Sequence, residues 1–297
     1  MVFSRNEEDC YKKRGVCMNE EMIESIVECM SSDEDLKAVQ RIQTEHRLKL
    51  VHAWGIKEGS RVLEIGCGQG DTTAALAYVV GEAGFVHGVD IASPDYGAPI
   101  TVGDAARYLQ QSALGKQIHM EFNVDVLAAD IDFPEAGFDY IVFSHCSWYL
   151  KSFEELEAIL EKSRKWGKRL CFAEWDARIQ TIEQYPHFLA VLIQSQYECF
   201  KESSLSNIRT LFTPNDVKRI AESAGWTITT EQSIHSPQLQ DAQWEIAMTL
   251  DNYKEEISEL SNVPDKLKSL IQSEVTLLEQ TGNNQPMSTY VFCADRS

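Results

Sequence analysis

The sequence predicts an open α/β domain: a mostly parallel sheet with helices on both faces, interrupted by helical insertions. Three observations carry that expectation. Val62, Leu63 and Ile65 form a short apolar run of the kind that makes a strand buried on both faces. The run breaks into Gly66, Gly68 and Gly70 and then into a helical stretch, Thr72 to Val80. Apolar strand-like runs and helical patterns then alternate as far as residue 232, which is the signature of one α/β layer structure.

The elements follow in order. Asn19 to Met30 reads as a helix with Met22, Ile23, Ile26, Val27 and Met30 on one face, broken by Ser31 and Ser32. A second helix spans Asp33 to Trp54 and stops at Gly55. Phe85 to Ile91 is the second strand, and its Asp90 stands about 20 residues beyond the glycines, where an acid can accept ribose hydroxyls. The turn-rich stretch 93–99 contains Tyr96. Thr101 and Asp104 then look like a helix N-cap and its N3 acid, opening a helix to about Leu114. Ile118 to Val124 is strand three and Phe138 to His145 strand four. Ser152 and Glu155 form a capping box for the helix that ends near Trp166. Lys168 to Trp175 is strand five, with Phe172, Glu174 and Asp176 on one face. Residues 177–210 fall outside the sheet and contain a helix apolar on most sides, hence buried. Thr213-Pro214-Asn215-Asp216 starts another helix, ended by Gly225. Thr227 to Gln232 is strand six. Residues 236–285 form a second insertion of two helices, Ala242 to Leu260 and Pro264 to about Gln280. Its nine acids against three lysines between 241 and 285 turn much of it to solvent. Met287 to Ala294 is the last strand. The division is therefore an N-terminal helical lid over 1–58 and a core over 59–297 carrying the two insertions.

Composition narrows the function. The net charge of −19 repels phosphate backbones and anionic lipid, so neither nucleic acid nor a membrane surface is the expected partner. A neutral or cationic small molecule is. No stretch is long and apolar enough for a transmembrane helix, and the N-terminus lacks a signal-peptide pattern. The eight cysteines never fall as C-x-x-C, so neither a zinc site nor a disulfide framework is expected, and a cytoplasmic location fits.

The glycine stretch separates two classes of nucleotide site. Asp71 occupies the place where the dinucleotide pattern G-x-G-x-x-G needs its third glycine, which argues against a nicotinamide-dependent oxidoreductase. Val62-Leu63-Glu64-Ile65-Gly66-Cys67-Gly68-Gln69-Gly70 instead resembles motif I of the class I S-adenosylmethionine-dependent methyltransferases. Phe138-Asp139 with Ile141 resembles the same family's strand-four motif, and Ala224-Gly225-Trp226 its helix end before strand six. The resemblance implies a Rossmann-like sheet of seven strands whose last strand runs antiparallel between strands five and six. It implies S-adenosylmethionine as cofactor, with contacts from Glu64, Gly66, Cys67, Gly68, Gly70, Asp90, Ile91, Asn123, Asp125 and Ser144. Asp90 takes the ribose. Asp125 takes the adenine amino group, with Asn123 as its rival.

The donor is already an activated electrophile, so alignment and exclusion of water supply most of the acceleration expected of the protein. A base matters for a hydroxyl acceptor and less for a thiolate or amine. His145, directly after strand four, is the first choice, and a structural histidine beside the cofactor is the competing reading. His235, Glu174 and Asp176 are alternatives. Trp148 and Tyr149 make either an aromatic wall for the acceptor or core of the following helix. The expected activity is methyl transfer to a small molecule. Methylene transfer to a lipid, as in cyclopropane fatty acid synthases, and an inactive scaffold with the same fold are the alternatives.

Overall fold

A computed structural model describes residues 19–31, 36–204 and 206–296. The expectations for Ser32, for Asp33 as a helix start and for residues 1–18 fall outside them. Nine α-helices and seven strands are formed among the described residues: α1 (Glu20–Val27), α2 (Lys37–Trp54), β1 (Arg61–Ile65), α3 (Asp71–Val80), β2 (Phe85–Val89), α4 (Val102–Gln111), β3 (Ile118–Glu121), β4 (Phe138–Ser144), α5 (Phe153–Ser163), β5 (Gly167–Trp175), α6 (Tyr185–Glu198), α7 (Pro214–Ser223), β6 (Trp226–Ile234), α8 (Asp241–Glu259), α9 (Asp265–Glu279) and β7 (Thr289–Arg296).

The sheet order is β3-β2-β1-β4-β5-β7-β6, with β7 antiparallel to both neighbours and the other pairs parallel. The strand order reverses beside β1, whose neighbours are β2 and β4, so the crevice opens at their carboxyl ends. The helix starts are local chemistry. The Thr101 and Ser152 hydroxyls accept the N–H groups of Asp104 and Glu155, and Thr213 with Asp216 forms a reciprocal capping box.

Each face of the sheet has its own core. Trp54, Leu76, Val86, Val142 and Cys171 pack on one side with α2 and α3; Leu63, Phe143, Phe172, Leu160 and Ile220 pack on the other with α5 and α7. The two insertions meet each other. Leu189 and Ile193 of α6, Tyr253 of α8, and Ile271 and Val275 of α9 share a third, smaller core.

One boundary differs in a way that bears on the site. β3 ends at Glu121 rather than Val124, and Asn123 adopts a left-handed φ of 56°. The chain leaves the ladder there because the N–H groups of Asn123 and Val124 bond back to the carbonyls of Ala92 and Asp90, beyond β2. Asn123 and Asp125 are therefore turn residues and do not share a strand face.

Candidate active site

The glycine turn is closed by its own backbone. The Gly66 and Cys67 N–H groups bond the Val89 carbonyl, and Gly70 N–H bonds that of Cys67. A Cβ on Gly66 would lie 2.7 Å from the Cβ of Cys146, and the residue's φ is +78°, so glycine is required twice over. Gly68 is the open one: a Cβ there would meet nothing within 4 Å, which leaves its outer surface free for a ligand. Gly70, in contrast, is the N-cap of α3 and lies against Leu109. The Cys67 thiol turns inward against Gly88, so this side chain belongs to the core and not to the cleft.

Asp90 stands at the end of β2 with Oδ2 accepting Gly68 N–H at 2.8 Å and Oδ1 accepting Ala92 N–H at 2.9 Å. Both oxygens keep lone pairs for a pair of ribose hydroxyls. Ile91 beside it is 62% exposed, an apolar surface suited to a purine. Asp125 accepts Leu127 N–H through Oδ1 in a tight turn of the same rim.

Glu64 lies one layer deeper than expected. It is buried, and its Oε2 accepts the Thr73 hydroxyl at 2.5 Å, tying β1 to α3 beneath the loop. Burial pushes its carboxyl up to about 8; the charges of Asp71 and Asp90 add to this, and Thr73 and Arg47 oppose it. The floor therefore draws its negative charge from Asp71 and Asp90, with Glu64 neutral near pH 7. Ser144, on the other side of the floor, accepts the Thr72 hydroxyl at 2.9 Å.

The carboxyl ends of β4 and β5 carry a different arrangement. His145 follows Ser144 in a left-handed conformation, φ 51°, which a non-glycine residue adopts at a cost. Its Nε2 is 3.1 Å from Nε2 of His46 on α2, whose Nδ1 is 3.0 Å from the Ser236 hydroxyl. Two neutral imidazoles meeting through Nε2 share one proton between them. His145 Nδ1 lies 3.4 Å from Glu174 Oε1 without hydrogen-bond alignment. Burial lowers the basicity of His145, helped by the Arg47 charge, and burial raises Glu174 against the hydrogen bonds it accepts, so both shifts disfavour an ion pair. Glu174 Oε2 also accepts the Ser147 N–H and hydroxyl. Trp175 stands between the rings of His145 at 4.5 Å and His187 at 5.2 Å.

Other expected site residues are placed elsewhere. Trp148 is core: its indole is buried and donates to the Phe212 carbonyl. Asp176 is clasped by the Arg178 guanidinium, and His235 is exposed on the far side of the strand end, while its neighbour Ser236 reaches His46. Tyr149 is 39% exposed at the rim, and burial raises its phenol, with Tyr96 and Glu245 adding to the shift. The cavity of about 790 Å³ between α6 and α8, lined by Gln194, Tyr197 and Asn252, touches neither the glycine turn nor His145.

Sequence reasoning missed Arg47, His46, Trp175 and His187. Arg47 Nε is buried with no hydrogen-bond partner, and its charge acts on Glu64, His46, His145 and Asp241. One signal was available in α2. Gln40, Gln43, Thr44 and Arg47 recur at helical spacing, a polar stripe beside Leu48 and Val51. Gln40 in fact donates to Asp71 at 2.8 Å and Gln43 to Asp241 of α8 at 2.9 Å, so α2 bridges the glycine turn and the second insertion.

Known proteins share this fold. The family described as "Methyltransferase domain" matches residues 38–231. A solved cyclopropane-fatty-acyl-phospholipid synthase-like protein from Lactobacillus casei is 33% identical, with a TM-score of 0.83 over 93% of this chain and 100% of that one. The methyltransferase phomM' of Diaporthe leptostromiformis is 27% identical over 208 residues, 56% of this chain and 53% of that one. The ubiquinone/menaquinone biosynthesis C-methyltransferase UbiE of Vibrio vulnificus is 35% identical over 92 residues, about a third of each. The chain thus spans about half or less of the length of the curated relatives it matches. It belongs to the class I S-adenosylmethionine-dependent methyltransferases, and S-adenosylmethionine is its cofactor.

Proposed function

We propose that this chain transfers a methyl group to a small-molecule nucleophile, neutral or cationic, enclosed under α2 and the two insertions, with His145 as the base where the acceptor must lose a proton. The observation that carries the reading is the buried His145–His46 pair at the carboxyl end of β4, directly after the Ser144 floor of the donor site. The cofactor supplies a sulfonium-activated methyl. Gly68, Asp90 and Ile91 hold the adenosine side, and Asp71 and Asp90 provide the negative potential that suits its cationic end, while Glu64, raised to about 8, is neutral near pH 7. The lowered basicity keeps both histidines neutral near pH 7, and a proton taken at Nε2 of His145 is shared with Nε2 of His46, whose Nδ1–H is oriented by the Ser236 hydroxyl. α1, α2 and the insertions serve as the lid that excludes water, and acidic side chains of the second insertion, Asp241 and Glu245, favour an acceptor that is not an anion.

The test is S-adenosylhomocysteine binding by titration calorimetry, followed by a methyl-transfer screen against hydroxyl, amine and thiol acceptors. Binding with turnover is expected. For a hydroxyl acceptor His145→Ala should lower kcat by about 10²–10⁴ while leaving S-adenosylhomocysteine affinity in place. Binding without turnover on any acceptor, relieved only by a second protein, would support the scaffold reading instead. Methylene transfer to an unsaturated lipid remains a second reading, favoured by the likeness to the Lactobacillus casei protein. There the methyl adds to an alkene carbon, and the resulting cation loses a methyl proton to a base as the ring closes; Trp175 beside His145 is suited to stand near such a cation. Unsaturated phospholipid vesicles that gain one methylene and lose the double bond would establish it.

A further inference from the structure

One polar cluster lies outside the cleft, on a part of one sheet face that no helix covers. The helices α5 and α7 cover that face over β4 and β5, but the β3–β4 connection, 122–137, contains no helix, so the face stays open toward the β3 edge. There His87 of β2 stands opposite His119 of β3 in register, and Glu121 follows two residues on, on the same face. Glu121 Oε2 is 2.6 Å from His87 Nε2 and 3.5 Å from His119 Nε2, and the two imidazole centroids are 4.9 Å apart. One ligand atom from each residue lies within 4.8 Å of the others.

We propose that His87, His119 and Glu121 form a binding site for a divalent transition ion of the zinc or copper type, distinct from the donor site. Two imidazoles and a carboxylate are the donor set such ions prefer over magnesium or calcium. In a tetrahedral zinc site the ligand atoms stand about 3.3 Å apart. The His119–Glu121 separation is already near that value, and the shorter His87–Glu121 contact opens when an ion replaces the shared hydrogen. The scaffold is rigid, since the ligands sit on paired strands rather than on a loop. Phe133 stands edge-on to His87 at 5.3 Å and walls one side, while His119 and Glu121, 51% and 46% exposed, leave an entry path and room for a water as fourth ligand. The three residues escape any search for C-x-x-C or H-x₃-H spacing because the register of two strands, and not the chain, brings them together. An ion here would clamp the open edge of the sheet next to the donor site. The Glu121 carbonyl accepts Asp90 N–H at 3.0 Å, so the same strand ends hold the ribose acid.

The test uses the full chain after treatment with a chelator. Titration calorimetry with ZnCl₂ should show one equivalent bound, and CuCl₂ should give an electron paramagnetic resonance spectrum with coupling to two nitrogens. His119→Ala, at an exposed edge position, and Glu121→Gln should each weaken zinc binding at least about tenfold, while His235→Ala leaves it unchanged. Glu121→Gln keeps the test valid should the alanine variant fail to fold. Absence of uptake, or uptake undiminished in both variants, which would place the ion on the cysteines, overturns the proposal. Neither result depends on methyl transfer or S-adenosylhomocysteine binding, so this site and the proposed function fail separately.

Discussion

The proposed donor half and the proposed acceptor half of the cleft are built on opposite principles. Around β1 and β2 the polar groups are held by backbone or by the adjoining helix: Asp90 by the N–H groups of Gly68 and Ala92, Gly66 and Cys67 by the Val89 carbonyl, Glu64 by the Thr73 hydroxyl. Around β4 and β5 the polar groups meet across long stretches of chain. His145 touches His46 and Thr289, Gln43 touches Asp241, and Arg47 Nε and His145 Nδ1 are left without a hydrogen-bond partner. A half that binds one fixed ligand can be preorganised by local backbone. The proposed acceptor half draws its titratable groups from α2, β4, β5 and α6, so their placement rests on packing between distant segments.

The largest effect expected from this contrast is at Gly66. Gly66→Ala combines a Cβ placed 2.7 Å from Cys146 with an unfavourable φ, and should cost about 2–4 kcal/mol of stability and abolish S-adenosylhomocysteine binding. Thermal melts and calorimetry check it. Gly68→Ala has no such clash, so it should cost only about 1–2 kcal/mol for its φ of +51° yet still weaken the ligand. Equal behaviour of the two variants would break the claim that only Gly68 faces the donor.

Next comes Glu64. Its folded-state pKa is raised to about 8, so the stability that its neutral form contributes is complete below the ordinary carboxylate range and is lost as pH climbs through about 8. Glu64→Gln keeps an acceptor for Thr73 and removes the titration. In the absence of ligand it should melt like the parent at pH 4–5 and be more stable by a few kcal/mol above pH 8. A parallel pair of pH–stability curves would contradict the buried, uncompensated carboxylate.

The smallest effect lies on the acceptor side. His187 is fully buried, and its Nδ1 accepts Met287 N–H; burial takes its pKa down to about 3, with His145 adding to the shift. Its folded pKa is lowered, so the stability it contributes is present above the ordinary histidine range and is lost as pH falls from about 6.5 toward 3. His187→Asn preserves an acceptor near Nδ1 and should flatten the acid limb of the stability curve, at a cost of about 1–2 kcal/mol at pH 7 for lost packing. Urea titrations at pH 5 and pH 7 measure both.

How much of the site was legible follows the same division. Asp90 announced itself by its distance from the glycines, and the N-caps of α4, α5 and α7 by their hydroxyl and acid pairs, because these are contacts within a few residues or one strand–helix unit. Cys67 and Gly70 lie in the turn and Glu64 on β1 before it, but a linear pattern does not say which side of a strand or turn a side chain takes. Trp148 and Tyr149 are adjacent, yet a single 3₁₀ turn sends one into the core and leaves the other at the rim. Asn123 was assigned to β3 on its apolar neighbours, and the backbone bonds to Ala92 and Asp90 that end the strand were not readable from the chain.

By itself, then, the sequence determined the sheet and the order of its elements, and it marked the glycine turn proposed to receive the donor. Those depend on hydrophobic period, glycine freedom and capping chemistry, all of short range along the chain. Tertiary structure alone decided that α2 delivers His46 to His145, that Trp175 stands between two buried histidines, and that two strands set His87 beside His119. These pairings rest on packing and register between segments far apart in sequence, and no local pattern encodes them.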